Sequence, residues 1–285
     1  MKKTSLKISI VIPAYNEQDQ IASCLEAISR LEDQPYEVVV VDNMSTDNTA
    51  KIAAQFPFVK VIKESKRGVV YARDCGFNAA RGDIIGRIDV DTILTADWTA
   101  KLAEIFKDDS VQAVSGGLHF YDIGLSCLVD RADAYWRAWM AKRMTKTNNM
   151  FLFGSNMAIR RSAWQAVKGN VCHQKGIHED IDLALHMSRA KLAVAFEPSL
   201  IASISARRVD SNLIDLARYC FISPLTYIKH NAKGHLYMYP LIILVLINYI
   251  LLRLLFRAFD SQAQRLSLKL LLLRQSRTRP NPADF

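Results

Sequence analysis

The chain lacks the glycine-rich signatures that bind nucleotide phosphates through backbone amides. Glycine occurs only 11 times among 285 residues. No predicted strand is followed by Gly-x-Gly-x-x-Gly, and Gly-x-x-x-x-Gly-Lys-Ser/Thr is absent. These patterns mark dinucleotide-binding folds and P-loops. A phosphate bound by this protein would therefore need a metal ion or side chains.

Cysteine is also scarce, and the five residues are widely scattered at positions 24, 75, 127, 172 and 220. An odd, scattered set without Cys-x-x-Cys favours buried thiols in a reduced, cytosolic compartment over a disulfide framework. His173 and His178 lie near Cys172 in the sequence, but their spacing matches no zinc-binding pattern. The first apolar run is too short for a signal peptide, and we expect none.

Acidic residues are outnumbered, and the resulting positive charge is uneven. The net charge is +9, and residues 235–285 contain seven Lys or Arg against two acids, a net charge of +5. Basic residues beside apolar sequence favour an anionic membrane surface, and we expect no nucleic-acid partner.

The longest uncharged apolar run covers residues 236–252 and contains 17 residues. A membrane span needs about 20 apolar residues. The run reaches that length only if Arg253 snorkels and the apolar residues after it are included. Residues 235–274 are therefore predicted to be membrane-associated, either as one short span or as two interfacial helices, which predicts the cytoplasmic face of the cell membrane. A buried core helix is the alternative.

Apolar runs alternate with helical patterns over the first ninety residues. The predicted strands are Ile8–Ile12, Val38–Val41, Val59–Ile62 and Ile84–Ile88. Continuous apolar strands separated by helices predict an α/β fold, in which a mostly parallel sheet has helices on both faces. Ligands of such sheets bind outside the carboxyl ends of the strands.

Three polar clusters follow predicted strands and should share that edge: Pro13–Glu17, Asp42-Asn43 and Asp89-Val90-Asp91. On an extended backbone Asp89 and Asp91 would point to the same side. Carboxylate oxygens suit a hard divalent cation, particularly beside a phosphate. A solvated turn is the alternative interpretation of Asp-x-Asp alone.

Two later segments carry candidate functional side chains. Residues 129–144 form an amphipathic segment rich in aromatic and basic groups, which indicates either a surface helix or a lip facing a lipid or an anionic acceptor. Residues 179–182, Glu-Asp-Ile-Asp, begin a predicted helix. Acids in a first turn suit the helix dipole, and one of them could instead serve as a general base.

Four motifs, in this order, resemble glycosyltransferase family 2: Val11–Glu17, Val41–Thr49, the Asp-x-Asp at 89–91 and Glu179–Leu183. The resemblance covers residues 7 to about 200. It implies a GT-A fold with a Rossmann-like nucleotide-binding half (1–92), an acceptor half (93–232) and then the membrane-associated helical tail (233–285). It also implies inverting sugar transfer from a nucleotide-diphosphate sugar, foremost a UDP-sugar, with Mg²⁺ or Mn²⁺.

The resemblance also implies residue roles. Asp180 would be the catalytic base, Asp91 would bind the metal directly, and Asp89 would face the metal and the ribose. Asp42 would accept a hydrogen bond from the base, commonly uracil. The full donor-side set is Pro13, Ala14, Tyr15, Glu17, Asp42, Gly68, Arg73, Asp89, Val90, Asp91, Gly154, Ser155 and Asn156.

The sequence departs from the family pattern in three places. Asn43 stands where a second Asp is frequent, and Asp74 where Asn is common. Ser203 or Ser205 stands where many relatives have a histidine, so no histidine metal ligand is expected there.

The expected acceptor is a hydroxyl of a lipid-linked saccharide or glycolipid. The alternatives are a polyprenyl-phosphate glycosyltransferase that uses a GDP- or UDP-sugar, and a non-catalytic scaffold that binds a nucleotide sugar.

Overall fold

The computed structural model describes residues 6–147, 151–260, 263–267 and 269–270. The chain divides into two compact units. The first consists of Met1–Gly117, Met150–His173 and Glu179–Ala202, and the second of Leu118–Asn149, Gln174–His178 and Ser203–Phe285. The boundaries expected from the sequence, after residues 92 and 232, do not coincide with these units.

The strands follow the apolar runs of the sequence. They are β1 (Ile8–Ala14), β2 (Glu37–Asp42), β3 (Val59–Lys63), β4 (Ile84–Ile88), β5 (Ile93–Leu94), β6 (Val111–Phe120), β7 (Asn156–Arg160), β8 (Ala193–Ile204), β9 (Phe259–Asp260) and β10 (Arg265–Leu266).

The helices alternate with these strands in the first unit and dominate the second. They are α1 (Ile21–Ser29), α2 (Thr49–Ala53), α3 (Val69–Ala79), α4 (Trp98–Ile105), α5 (Ser126–Thr147), α6 (Arg161–Val167), α7 (Glu179–Arg189), α8 (Leu213–Lys229), α9 (Tyr239–Ile247) and α10 (Tyr249–Ala258). Short 3₁₀ turns cover Arg207–Asp210 and Lys233–Tyr237.

The central sheet confirms the predicted α/β class. Its strand order is β3-β2-β1-β4-β7-β6-β8-β5. The pairs β1–β2, β2–β3 and β1–β4 are parallel, whereas β7 is antiparallel to both β4 and β6. The parallel half matches the alternation in the sequence, because parallel neighbours need crossover connections, usually helices.

Apolar residues cover both faces of this sheet. Alternate residues of β1 point to opposite sides, as the pleat requires. Ile10 and Ile12 join a core with Leu25 of α1, and Val11 joins a second core with Phe77 of α3. Burial on two faces explains why these strands are continuously apolar and do not alternate with polar residues.

In the second unit, no single described helix is long and apolar enough to cross a membrane. One pair, Lys233–Ile247 and Tyr249–Ala258, passes the same test together but is bent by 61°. Arg253, a charged residue within this pair, donates from Nε to the buried Asp210 Oδ1 at 3.2 Å. Residues 261, 262, 268 and 271–274 of the predicted membrane-associated segment lie outside the described residues.

Candidate active site

The strand register brings the predicted polar clusters to one edge of the sheet. Ala14, the last residue of β1, pairs with Asp42, the last residue of β2. On the other side of β1, Ile88 ends β4 and pairs with Asn156 at the start of β7. The loops after β1, β2 and β4 therefore leave the same edge, and the Gly154-Ser155 segment enters beside Asp89. Thr92 Oγ1 also lies 3.3 Å from the Ser155 carbonyl oxygen, to which it donates.

Hydrogen bonds join the loop after β1 to the segment after β2 at this edge of the sheet. The backbone N–H of Glu17 donates to Thr49 Oγ1 at 2.7 Å, and the N–H of Gln18 donates to Asp47 Oδ2 at 3.1 Å. Glu17 itself is buried. Burial alone would raise the pKa of Asp47, but hydrogen bonds from Thr49 and from the Gln18 N–H hold that pKa below its usual range.

Asn43 shapes the loop that precedes α3. Its Nδ2 donates to the carbonyl oxygens of Glu64 and Lys66, at 3.1 and 2.7 Å. Its Oδ1 accepts from the Gly68 N–H at 2.8 Å. An aspartate could not donate those two bonds, which gives a physical reason for an amide at this position. Gly68 has φ +136°, a conformation that other residues rarely adopt.

Asp42 and Tyr15 flank this loop. Asp42 is buried, and its Oδ1 accepts from the Ser45 N–H at 3.1 Å. The exposed Arg67 donates from Nη2 to the Tyr15 hydroxyl at 2.8 Å, and its guanidinium lies 4.8 Å from the Tyr15 ring centre. Arg67 is a cation at the predicted donor edge that sequence reasoning missed.

Asp89 and Asp91 lie on a turn, which corrects the expectation of extended backbone. The N–H of Thr92 donates to the Asp89 carbonyl at 3.1 Å, closing the turn. Val90 is buried and anchors it. Burial, and then the charges of Asp91 and Asp89, raise the pKa of the Cys24 thiol.

A buried arginine, Arg87, joins this turn to α7. Its Nη2 lies 3.1 Å from Asp89 Oδ1, and its Nη1 lies 3.0 Å from Glu179 Oε1. Its side chain is 4% exposed. A Cβ added at Gly154 would lie 1.2 Å from Arg87 Nη1. Position 154 therefore needs glycine so that the guanidinium can pass.

Asp180 occupies the first turn of α7 beside the same segment. Its Oδ2 accepts from the Gly154 N–H at 2.9 Å, and its Oδ1 accepts from the Ile181 N–H at 2.8 Å. The carboxylate is half-buried. The structure thus brings Asp180 to the chain segment that also borders Asp89 and Arg87.

Two residues of the expected donor-side set have side chains that are buried and hydrogen-bonded inside the protein. Asn156 is fully buried. Its Oδ1 accepts from Trp98 Nε1 at 2.9 Å, and its Nδ2 donates to the Gly117 and Leu200 carbonyl oxygens. With both ends of its amide engaged inside the fold, Asn156 fixes β7 rather than offering its side chain to a donor.

Arg73 is the second such residue. It is fully buried, its Nε donates to Asp74 Oδ1 at 2.8 Å, and its Nη1 donates to the Glu179 carbonyl. Asp74 also pairs with His173 at 2.9 Å. The charge of Asp74, where the family often has an amide, is thus matched by a buried cation, and Arg73 holds α3 to the start of α7.

The residues at this edge suit a hard divalent ion. Asp91 is 5% exposed, and Asp89 adds a second carboxylate on the same turn. An all-oxygen donor set is what Mg²⁺ and Mn²⁺ prefer. The phosphates of a bound nucleotide would supply the remaining oxygens.

The comparisons with known proteins agree with the fold. The sequence model described as "Glycosyl transferase family 2" matches residues 9–167, which is more than half of the chain. The protein belongs to glycosyl transferase family 2.

Two relatives illustrate the range of the family. Glycosyltransferase AglE of Haloferax volcanii is 29% identical over 155 residues, covering 52% of this chain and 51% of that protein. An undecaprenyl-phosphate 4-deoxy-4-formamido-L-arabinose transferase of Yersinia enterocolitica is 39% identical over 212 residues, covering 71% and 57%. The chain thus spans between half and three-fifths of the length of these relatives.

Solved structures share the GT-A fold. The mannosyltransferase PcManGT from Pyrobaculum calidifontis, solved with GDP-Man and Mn²⁺, matches with a TM-score of 0.65 at 20% identity, covering 95% of this chain and 79% of that one. Glucosyl-3-phosphoglycerate synthase from Mycobacterium tuberculosis, solved with Mn²⁺, UDP-glucose and phosphoglyceric acid, matches with a TM-score of 0.56 at 20% identity, covering 80% and 81%.

Proposed function

We propose that the protein is an inverting glycosyltransferase that moves a sugar from a nucleotide-diphosphate sugar to an acceptor hydroxyl. One observation carries the proposal: the Asp180 carboxylate is fixed by the Gly154 N–H at 2.9 Å. Gly154 lies two residues before Asn156, where the strand that pairs with β4 begins, and β4 leads into Asp89 and Asp91. The reaction needs a general base and a metal-binding site. The fixed carboxylate of Asp180 would supply the first, and the Asp-x-Asp turn would supply the second.

Each part of this arrangement has a chemical task. Asp180 would take the proton of the acceptor hydroxyl as it attacks the anomeric carbon, and general-base help is typically worth about 10²–10⁴-fold. Asp91 and Asp89 would hold the divalent ion. When bound, that ion neutralises charge on the departing diphosphate, worth several kcal/mol in such sites. Arg87 would act as a positioning residue, because it ties Asp89 to Glu179, the neighbour of the base.

We propose a UDP-sugar as the donor. Asp42 would accept a hydrogen bond from the base, Tyr15 would stack near it, and the exposed Arg67 would contribute positive charge toward the nucleotide. One structural neighbour, the mannosyltransferase PcManGT, was solved with GDP-Man. A donor panel therefore belongs in the first experiment.

A lipid-linked acceptor at the cytoplasmic face of a membrane is the second element of the proposal. The supporting observation is the apolar surface of the second unit, where side chains such as Ile247, Ile250 and Leu254 are exposed. Exposed apolar surface of this kind marks a protein or membrane contact. The excess of basic residues after position 235 favours an anionic membrane surface.

A polyprenyl-phosphate acceptor is the alternative within the same class. It is favoured by several relatives named undecaprenyl-phosphate 4-deoxy-4-formamido-L-arabinose transferase. In that reaction a phosphate oxygen, already deprotonated at neutral pH, would attack the sugar. Asp180 would then have no hydroxyl proton to remove. Replacing it should cost far less than with a hydroxyl acceptor.

The test is sugar transfer with a panel of UDP- and GDP-sugars, Mn²⁺ or Mg²⁺, and saccharide or polyprenyl-phosphate acceptors. Asp91→Ala should abolish metal-dependent turnover. Asp180→Asn should lower kcat about 10²–10⁴-fold with a hydroxyl acceptor and leave donor binding intact. Asp109→Asn is the matched control, because that carboxylate is 91% exposed.

Three outcomes distinguish the proposed function from its alternatives. Full activity of both Asp91→Ala and Asp180→Asn would exclude the assigned roles. Transfer to polyprenyl phosphate that persists in Asp180→Asn would support the alternative acceptor. Donor binding by calorimetry without turnover on any acceptor would instead indicate a nucleotide-sugar-binding scaffold.

A further inference from the structure

A second cluster of potential metal ligands involves α7 and the segment before it, apart from the Asp-x-Asp turn. Asp182 and His186 are four residues apart on this helix, so their side chains share one face. Cys172 comes from the segment between α6 and α7. Its Sγ, a carboxylate oxygen of Asp182 and a ring nitrogen of His186 all lie within 4.8 Å of one another.

The individual distances resemble those of a tetrahedral zinc centre. His186 Nε2 lies 3.4 Å from Asp182 Oδ1 and 3.9 Å from Cys172 Sγ. Zinc bonds of about 2.0–2.3 Å at tetrahedral angles separate ligand atoms by roughly 3.3–3.6 Å. The first distance matches this range, and the second needs a shift of only a few tenths of an ångström.

The second carboxylate oxygen of Asp182 is already oriented. Asp182 is fully buried, and its Oδ2 accepts from the Cys172 backbone N–H at 3.0 Å. Metal-binding carboxylates are typically held by such outer hydrogen bonds. Oδ1, the other carboxylate oxygen, lies 3.4 Å from His186 Nε2.

The geometry points to a zinc site formed by Cys172, Asp182 and His186. A thiolate and an imidazole favour Zn²⁺ over Mg²⁺ or Mn²⁺, whereas the all-oxygen set at Asp89 and Asp91 has the opposite preference. The first unit would then hold two metal sites of different chemistry. The remaining tetrahedral position would be filled by water or a further donor. Binding displaces the Cys172 thiol proton to solvent, because the thiolate is the ligand.

A bound zinc ion would restrain the position of α7. Zinc would cross-link the segment around Cys172 to the helix whose first turn carries Asp180. The zinc site does not depend on the identity of the donor or acceptor proposed above. Metal binding alone tests whether it exists.

The experiment is a titration of the metal-stripped full chain with Co²⁺, in saturating Mg²⁺ to occupy oxygen ligands. About one equivalent of Co²⁺ should produce the near-ultraviolet absorption of a thiolate–cobalt bond. Zn²⁺ should then displace it, as its higher affinity requires. Cys172→Ser should abolish the band, and His186→Gln should weaken Zn²⁺ affinity at least about tenfold. Cys75→Ser, Cys220→Ser and Asp91→Ala should each retain the band.

The inference is overturned if the wild-type chain gives no thiolate band, or if Cys172→Ser keeps it. It is also overturned if His186→Gln binds Zn²⁺ as tightly as wild type. Circular dichroism checks that the variants fold. If Cys172→Ser does not fold, His186→Gln alone decides.

Discussion

Arg87 is a buried cation that pairs with two carboxylates of the candidate site. Its guanidinium is buried between Asp89 and Glu179. Bringing such ions out of water is costly, and the pairing compensates only while all partners remain. Loss of the arginine would leave two carboxylates without their cation.

We predict that Arg87→Met lowers the free energy of unfolding by about 3–5 kcal/mol, the usual cost of removing one partner from a buried pair. Urea denaturation measures the loss. Arg218→Met is the matched control, because Arg218 is 67% exposed and its partner Asp215, at 3.7 Å, is 44% exposed. An exposed pair is worth about 1 kcal/mol or less. Equal losses in the two variants would contradict the structural role of Arg87.

Asp47 provides a pH-dependent test at a single carboxylate. Its hydrogen bonds with Thr49 and the Gln18 N–H outweigh burial and keep its folded pKa below the usual value. A group with a depressed folded pKa stabilises the protein above its unfolded pKa of about 3.9, and that contribution is lost as pH falls through the folded pKa.

We therefore expect Asp47→Asn to destabilise the protein near neutral pH and to match wild type in acid. The difference in unfolding free energy should shrink between about pH 5 and pH 3. Urea unfolding across that range measures it. Asp19→Asn, at an exposed position on the neighbouring loop after β1, should change stability little at neutral pH. A wild-type advantage over Asp47→Asn that persists undiminished in acid would show that the carboxylate charge is not responsible.

At the scale of elements, α10 is attached to its unit by ionic contacts as well as by apolar packing. Asp210 is almost fully buried and accepts from Arg253 Nε at 3.2 Å and Arg257 Nε at 2.5 Å. Phe256 of the same helix packs with Ile123 and Ala206. The charged residues of an otherwise apolar helix thus face the protein.

We predict that Asp210→Asn loosens α10, since hydrogen bonds to charged groups contribute about 1.5–3 kcal/mol. Cleavage by trypsin after Arg253 and Arg257 should accelerate about tenfold or more, because each 1.4 kcal/mol multiplies the open population tenfold. Asp215→Asn is the control: it is 44% exposed and lies 3.7 Å from Arg218. Unchanged cleavage in Asp210→Asn would show that packing alone holds α10.

For the whole molecule, the distribution of exposed apolar side chains is the feature that bears on location. Among the described residues of α9 and α10, Ile247 is 77% exposed and Ile250 is 71% exposed. Burying one such side chain is worth about 1.5–3 kcal/mol. A surface of this kind gains substantially from contact with lipid.

We expect the protein to sediment with vesicles that contain anionic lipid. Ile247→Asp with Ile250→Asp should weaken that binding at least about tenfold. Phe58→Asp, in the first unit, is the control and should bind as wild type. Equal binding by the double variant and wild type would exclude these side chains from the membrane contact, and added salt would separate the charge contribution from the apolar one.

The sequence predicts the parallel half of the sheet well. The expected run Ile84–Ile88 coincides with β4, and Val38–Val41 lies within β2. Continuous β-branched runs between helical patterns are strong local signals. The insertion of the antiparallel β7 between β4 and β6 carried no such signal, because pairing between distant strands does not depend on local periodicity.

The motifs of the candidate site could be recognised in the sequence, but the roles of individual residues were harder to predict. Asp89, Asp91 and Asp180 could be named from their sequence neighbours. Arg87 was read only as part of an apolar strand, and Asn156 was expected beside the donor although its amide is fully engaged in the core. A side chain's role depends on what surrounds it, and burial of a polar group is not visible in a short motif.

By itself the sequence determined the α/β class, the edge of the sheet at which polar loops meet, and the family. These follow from short-range periodicity and from the rule that parallel strands end on the same side. Only the tertiary structure decided which partners the polar residues acquire. It joined Arg87 to Glu179 and brought Cys172 to Asp182 and His186 rather than to the neighbouring histidines. The reason is physical: long-range contacts form when whole elements pack, and the intervening sequence does not encode them locally.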